Sequence, residues 1–293
     1  MSRISKYFLR IIIRGVDRFH TELQNAASGV SDPQARSKGA HASTSPERIH
    51  ALVEMLHGIW SDMKDDATNN KFVDQALARV PLASVMARLI VCLPEGQHRS
   101  VVADRLLNTL VRYEASRDPG LRRTVRVAIA DSVSILGKSY FGLVLKEATH
   151  VLRRSFYAHA VPSLVLTMLY RVRMDADDIQ ALEQPLWELM REDMVGVLDE
   201  QRRAPALEGK VHEMRTCTSF TILKYLSASL PVARINAFLA PIRELLLNTM
   251  SPQVVRQMRH ALSSIRQGLL MPASLAATGG NGETLAKAPG QDV

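Results

Sequence analysis

The chain has 293 residues, 46% apolar but only 5% aromatic, and a formal net charge of +8. That is enough apolar material for a sizeable core, in one extended domain or two compact ones. No apolar run reaches the roughly 18 residues needed to span a bilayer, and the two cysteines, Cys92 and Cys217, lack the spacing of a disulfide framework and fit a reducing compartment.

Of the basic residues, 28 are Arg and 9 are Lys. Arginine is a planar, always-charged fork matched to phosphate and carboxylate. An Arg-rich basic chain points to an acidic partner, and RNA is the common one. The plainer reading is a solvated positive face, and charge alone leaves both open. Leu, Val, Ala, Ile and Met dominate the apolar content. With Gly and Pro not high, a helical protein is expected.

In chain order, residues 1–24 read as an N-terminal helix. Arg3, Lys6, Arg10 and Arg14 precede any acid and alternate with Tyr7, Phe8, Ile11, Ile12 and Ile13, which also suits a mitochondrial presequence. The stripe runs on through Val16, Phe19 and Leu23, which favours the helix. Residues 25–45 hold almost no large apolar side chain and read as a disordered linker. Ser45-Pro46 is a helix start, followed by a stripe at Ile49, Leu52, Val53, Leu56, Ile59 and Trp60. Phe72 to Val80 is a short helix, Pro81 opens another to Leu93, and Arg99 to Tyr113 is a third. Asp118-Pro119 caps a helix bearing Leu121, Val125, Ile129, Val133 and Leu136. Arg122, Arg123 and Arg126 crowd its start, where positive charge does not help the helix dipole, so a use outside the helix itself is considered.

Lys146 to Leu169 reads as two amphipathic helices meeting at a basic corner, Arg153-Arg154-Ser155. Asp175 to Glu192 is one helix, with kinks expected at Pro162 before it and at Pro185 within it. Residues 201–212 read as a loop and 213–230 as a helix. Pro231 opens a regular helix interrupted by Pro241, and Ser251-Pro252 opens the last, with Arg256, Arg259 and Arg266 on its outer face. Residues 272–293 read as a disordered tail. Helix pairs recur at a period near 40 in residues 46–271, which predicts an all-α fold: an α-solenoid of degenerate HEAT-like helical hairpins.

The constellations of catalysis are missing from the sequence. There is no glycine-rich phosphate loop, no H-E-x-x-H and no G-x-S-x-G. His212, Glu213 and Cys217 are poorly spaced for a metal, His50 and His57 read as surface residues, and His159 as a packed corner. Asp65-Asp66 and Glu192-Asp193 read as solvated acids. Neither an enzyme nor a cofactor, metal, membrane or small-molecule substrate is expected. The candidate contacts are Arg122, Arg123, Arg126, Arg153, Arg154, Arg256, Arg259 and Arg266, a set able to form a basic ridge along a phosphate backbone. Pairing with acids of adjacent turns is the competing use.

Arg154-Ser155-Phe156-Tyr157-Ala158-His159-Ala160-Val161 resembles the Arg-Gly-Tyr-Gln-x-His-Val-Leu stretch of the DRIM family, very large HEAT-repeat proteins of the small-subunit processome associated with small nucleolar RNA. Met194-Val195-Gly196 with Asp199-Glu200, then His212-Glu213-x-Arg215, Ser219-Phe220-x-Ile222-Leu223, Pro241-x-x-Glu244-x-Leu246 with Thr249, and Ile265-x-x-Gly268-Leu269 follow in the same order. The resemblance covers roughly residues 135–272, with Ser155 in place of Gly and Tyr157 in place of Gln. It implies a non-catalytic scaffold of small-subunit biogenesis in the nucleolus. Its expected partners are pre-ribosomal RNA or a small nucleolar ribonucleoprotein and other processome proteins. A helical-repeat transport or trafficking adaptor, binding proteins in a concave face, is the alternative. A mitochondrial location is the alternative to the nucleolus.

Overall fold

A helix forms where an apolar stripe recurs at 3.6-residue spacing and a neighbour can bury it. The structure, a computed structural model, describes residues 49–51, 53–54, 73–152, 157–203 and 215–271. Among the described residues every regular element is helical and none is a strand. The expected all-α fold is thus the one observed. The chain divides into two units, Met1–Val151 and Leu152–Val293.

The first unit contains α1 (Val73–Arg79), α2 (Leu82–Val91), α3 (Gln97–Tyr113), α4 (Pro119–Leu136) and α5 (Tyr140–Leu152). Helix α2 is apolar almost all round and buries Leu82, Ala83, Val85, Met86, Ala87, Leu89 and Ile90. A helix of that kind must be surrounded, and α3 and α4 both pack on it. Their inward stripes are Val102, Leu106, Leu107 and Leu110 on α3 and Leu121, Val125, Ile129 and Val133 on α4. Gly96 before α3 has φ 154° and Gly137 after α4 has φ 121°. Side-chain-bearing residues rarely adopt these values, so glycine fits where the chain turns.

The second unit contains α6 (Ala160–Arg171), α7 (Ala176–Ala181), α8 (Glu183–Val195), α9 (Val197–Arg203), α10 (Ser219–Ala228), a single 3-10 turn (Val232–Arg234), α11 (Ile235–Leu247) and α12 (Pro252–Leu269). Its tightest packing is α10 against α12. A Cβ on Gly268 would collide with Ser227 Oγ and the Lys224 carbonyl, so the two backbones approach closely only because Gly268 has no side chain. The Ser227 hydroxyl also donates to the Ile265 carbonyl across the crossing, at 3.2 Å.

The prolines behave differently from expectation. Pro162 lies in the first turn of α6, where no intrahelical bond is lost, so it produces no kink. Pro185 likewise sits in the first turn of α8. Its ring opposes the carbonyl four residues back, that of Ala181, where α7 ends. The expected single helix over 175–192 is therefore two helices. Pro241 does lie inside α11, and the helix continues through it. Residues 201–203, expected in a loop, are the end of α9. The N-terminal helix, the 25–45 linker, the tail and the basic corner Arg153-Arg154-Ser155 lie outside the described residues.

Candidate functional site

The arginines expected to form one ridge fall into two groups with different surroundings. At the start of α4, Asp118 is the N-cap and its carboxylate accepts from the Leu121 N–H at 2.6 Å. Arg122 follows and is 2% exposed. Its guanidinium donates to the Ser116 carbonyl at 2.8 Å and the Arg117 carbonyl at 3.2 Å. Arg126 pairs with Glu114, whose carboxylate is fully buried. Arg122 and Arg126 thus leave the expected ridge. They reach back from the first turns of α4 and hold the corner that joins α3 to α4. The dipole penalty is offset by a buried carboxylate and by carbonyls that have finished the preceding helix. Arg123, between them, is exposed.

Helix α12 is the contrasting case. From Leu245 to Gly282 the sequence contains no acid, so no turn of α12 supplies a carboxylate. Met258, Ala261, Ile265 and Gly268 face inward, which turns Arg256, Arg259 and Arg266 to solvent, all three exposed. Among the described residues no ion pair engages any of the three. Arg259 and Arg266 are seven residues apart, about 10 Å along the axis, with Arg256 one turn earlier. His260 shares the exposed side. Three cations on one helix, with no counter-charge paired to them among the described residues, can meet successive phosphates of a nucleic acid. Arg153 and Arg154 lie outside the described residues.

A buried polar cluster that the sequence did not reveal ties α8, α9, α10 and α12 together. Asp193, read from sequence as solvated, is 2% exposed. One oxygen pairs with Arg202. The other accepts from the Ser219 N–H at 3.0 Å, the Ser219 hydroxyl at 2.7 Å and the Cys217 thiol at 3.4 Å. Asp199, also buried, pairs with Arg202 at 3.4 Å and Arg203 at 2.9 Å, and accepts from Gln253 at 2.8 Å and Gln257 at 3.4 Å on α12. Both carboxylates are committed to donors of their own unit, which makes them structural pins. Asp199 also seats the first two turns of α12, the helix that carries the exposed arginines. Burial first, and the Asp193 carboxylate second, push the Cys217 thiol well above its ordinary value, so it stays protonated and donates. Only the order Asp193, Arg202, Ser219 is visible in sequence, and no linear spacing marks those residues as neighbours.

Other residues singled out from the sequence have packing roles. His159 is 2% exposed, with Nε2 at 3.2 Å from Gln201 Oε1. The His50 ring lies against that of His98, centroids 4.5 Å apart. Glu192 accepts from the Val197 N–H at 3.2 Å where α8 meets α9. His57, Asp65, Asp66, His212 and Glu213 lie outside the described residues.

Residues 68–278 match the model of the family described as the U3 small nucleolar RNA-associated protein 20 domain. That span exceeds the stretch read by resemblance and takes in every element of both units from α1 to α12. A relative in Saccharomyces cerevisiae, named U3 small nucleolar RNA-associated protein 20, is 21% identical over 173 residues, covering 58% of this chain and 7% of the relative. The chain therefore spans about one-fourteenth of that relative's length. The expected small-nucleolar-RNA-associated family is the one found, and the chain belongs to the family of the U3 small nucleolar RNA-associated protein 20 domain.

Proposed function

We propose that the chain is a non-catalytic scaffold segment in small-ribosomal-subunit biogenesis. It holds pre-ribosomal RNA, or the RNA of a small nucleolar ribonucleoprotein, and neighbouring processome proteins while the subunit matures, and it works in the nucleolus. The observation that carries the reading is the acid-free outer face of α12, with Arg256, Arg259 and Arg266 exposed and, among the described residues, no ion pair engaging them. Membership of a family described by association with U3 small nucleolar RNA supports the choice of partner, as does the name of the yeast relative. It favours this reading over a trafficking adaptor and over a mitochondrial location. Arg123, Arg153 and Arg154 are proposed as further contacts.

Binding of this kind releases counterions, so affinity falls with salt by about 0.7 log units per log unit of salt for each single-strand phosphate neutralised. Three contacts on α12 give a slope share of about 2. The test is the salt dependence of binding to ribosomal RNA fragments, for the native chain and for R256E/R259E/R266E. A slope reduced by about 2 is expected for the triple variant. An unchanged slope rules out α12 as the contact surface, and no affinity at low salt rules out the RNA reading altogether.

A further inference from the structure

The second unit encloses an open cavity of about 400 Å³ beside α6, α7 and α10, within the range of sites that take small planar ligands. Val172, Met174, Ile179 and Leu226 form its apolar floor. Tyr170 and Tyr225 both line it, as an edge-to-face pair with centroids 4.8 Å apart and planes at 82°. In such a pair one ring offers its edge, so neither of that ring's faces is covered by its partner. Both tyrosines are half-buried, which exposes part of each to a ligand. Burial first, and Tyr225 next, push the Tyr170 phenol upward, so its hydroxyl stays protonated. Arg171 and Arg173 belong to the same lining and are exposed. The one acid in the lining, Asp175, is already engaged in capping α7, accepting from the Asp177 and Asp178 N–H groups at 3.1 and 2.9 Å.

Aromatic faces beside cations, with no uncommitted carboxylate, suit a flat, electron-poor ring attached to an anion. That is the chemistry of a nucleotide. Duplex RNA keeps its bases stacked inside the helix, so such a cavity can be filled only from a single strand, where bases splay onto aromatic side chains. We propose that the cavity takes one unpaired base of a single-stranded RNA, stacked on the Tyr170–Tyr225 pair, with an adjoining phosphate at Arg173. This rests on the RNA reading of α12 for the identity of the polymer and adds to it a strandedness and a second, base-holding site.

The experiment is photocrosslinking of the full chain to a short single-stranded RNA containing 4-thiouridine, with the crosslinked peptides identified by mass spectrometry. Crosslinks are expected on the peptides bearing Tyr170 or Tyr225. Y225L should reduce them by roughly tenfold, the loss of one stacked base, and Y225F, which keeps the ring, should retain them. R173E, a change at an exposed rim that leaves the core intact, should weaken the same crosslinks, and it decides the matter if Y225L fails to fold. The same RNA annealed into a duplex should give none at the cavity. Crosslinks confined to the α12 peptide overturn the cavity and leave the proposed function standing. Cavity crosslinks that survive R256E/R259E/R266E at full yield support the cavity and overturn α12 as the backbone contact. No crosslink on any peptide overturns both.

Discussion

The corner of α3 and α4 in the first unit and the outer face of α12 in the second use the same residue type for opposite ends. Both place arginines within a helix that follows a proline start, Pro119 in one case and Pro252 in the other. At the corner, Glu114 and the carbonyls of Ser116 and Arg117 lie within reach upstream, and Arg122 and Arg126 fold back onto them. On α12 no acid occurs between Leu245 and Gly282, and the arginines stay in solvent. The difference is one of counter-charge supply, since a guanidinium beside a buried carboxylate is held and one without a partner is offered. An arginine cluster is therefore a candidate contact only after the acids and free carbonyls of its own corner have been counted.

The buried pairs should be the costliest to disturb. Asp193→Ala leaves Arg202 beside a buried site with its main partner gone, and a loss of about 3–5 kcal/mol is expected in urea denaturation. A loss below about 1 kcal/mol would show the cluster to be surface-like. Glu114→Gln keeps the shape of the first-unit corner while removing its charge. About 2 kcal/mol should go, and Arg126→Met introduced into the same background should recover part of it if the pair, and not the packing, is responsible. Gly268→Ala forces α10 and α12 apart, with about 1–3 kcal/mol expected for overpacking. Thermal denaturation of that variant beside Gly268→Ser, which is bulkier, should show the larger side chain melting lower. The triple variant R256E/R259E/R266E sits at the foot of the scale for stability, with less than about 0.5 kcal/mol per site expected. Its effect is expected in the binding of ribosomal RNA fragments, and a large loss of helical circular dichroism in it would erase the contrast between held and offered arginines.

The helices themselves were legible because their signal is local. The stripes on α3, α4 and α12, and the Asp118 cap, are patterns within one turn or two. The prolines at 162 and 185 were misread because the same residue kinks a helix in its interior and opens one in its first turn, and the boundary decides which. The α12 face was legible because the missing acids are a property of sequence. The roles of Arg122 and Arg126 were not, since Arg122 depends on the carbonyls of Ser116 and Arg117 and Arg126 on a buried Glu114 twelve residues before it. Asp193 was hidden for the same reason at larger scale, its partners lying 9, 24 and 26 residues away. The Tyr170–Tyr225 pair joins two helices 55 residues apart in the chain, a distance no periodicity spans.

The bare backbone at Gly268 has a consequence for timing as well as for packing. With Lys224 and Ser227 pressed against it, α12 has one permitted depth and one register on α10. Sliding by a residue would bring Gln267 or Leu269 to the crossing, and neither fits. The arginines on the far side of α12 are consequently set before any partner arrives. On the proposed function, an RNA would meet them on a helix already packed in place. Its capture should run at a rate governed by diffusion and ionic strength.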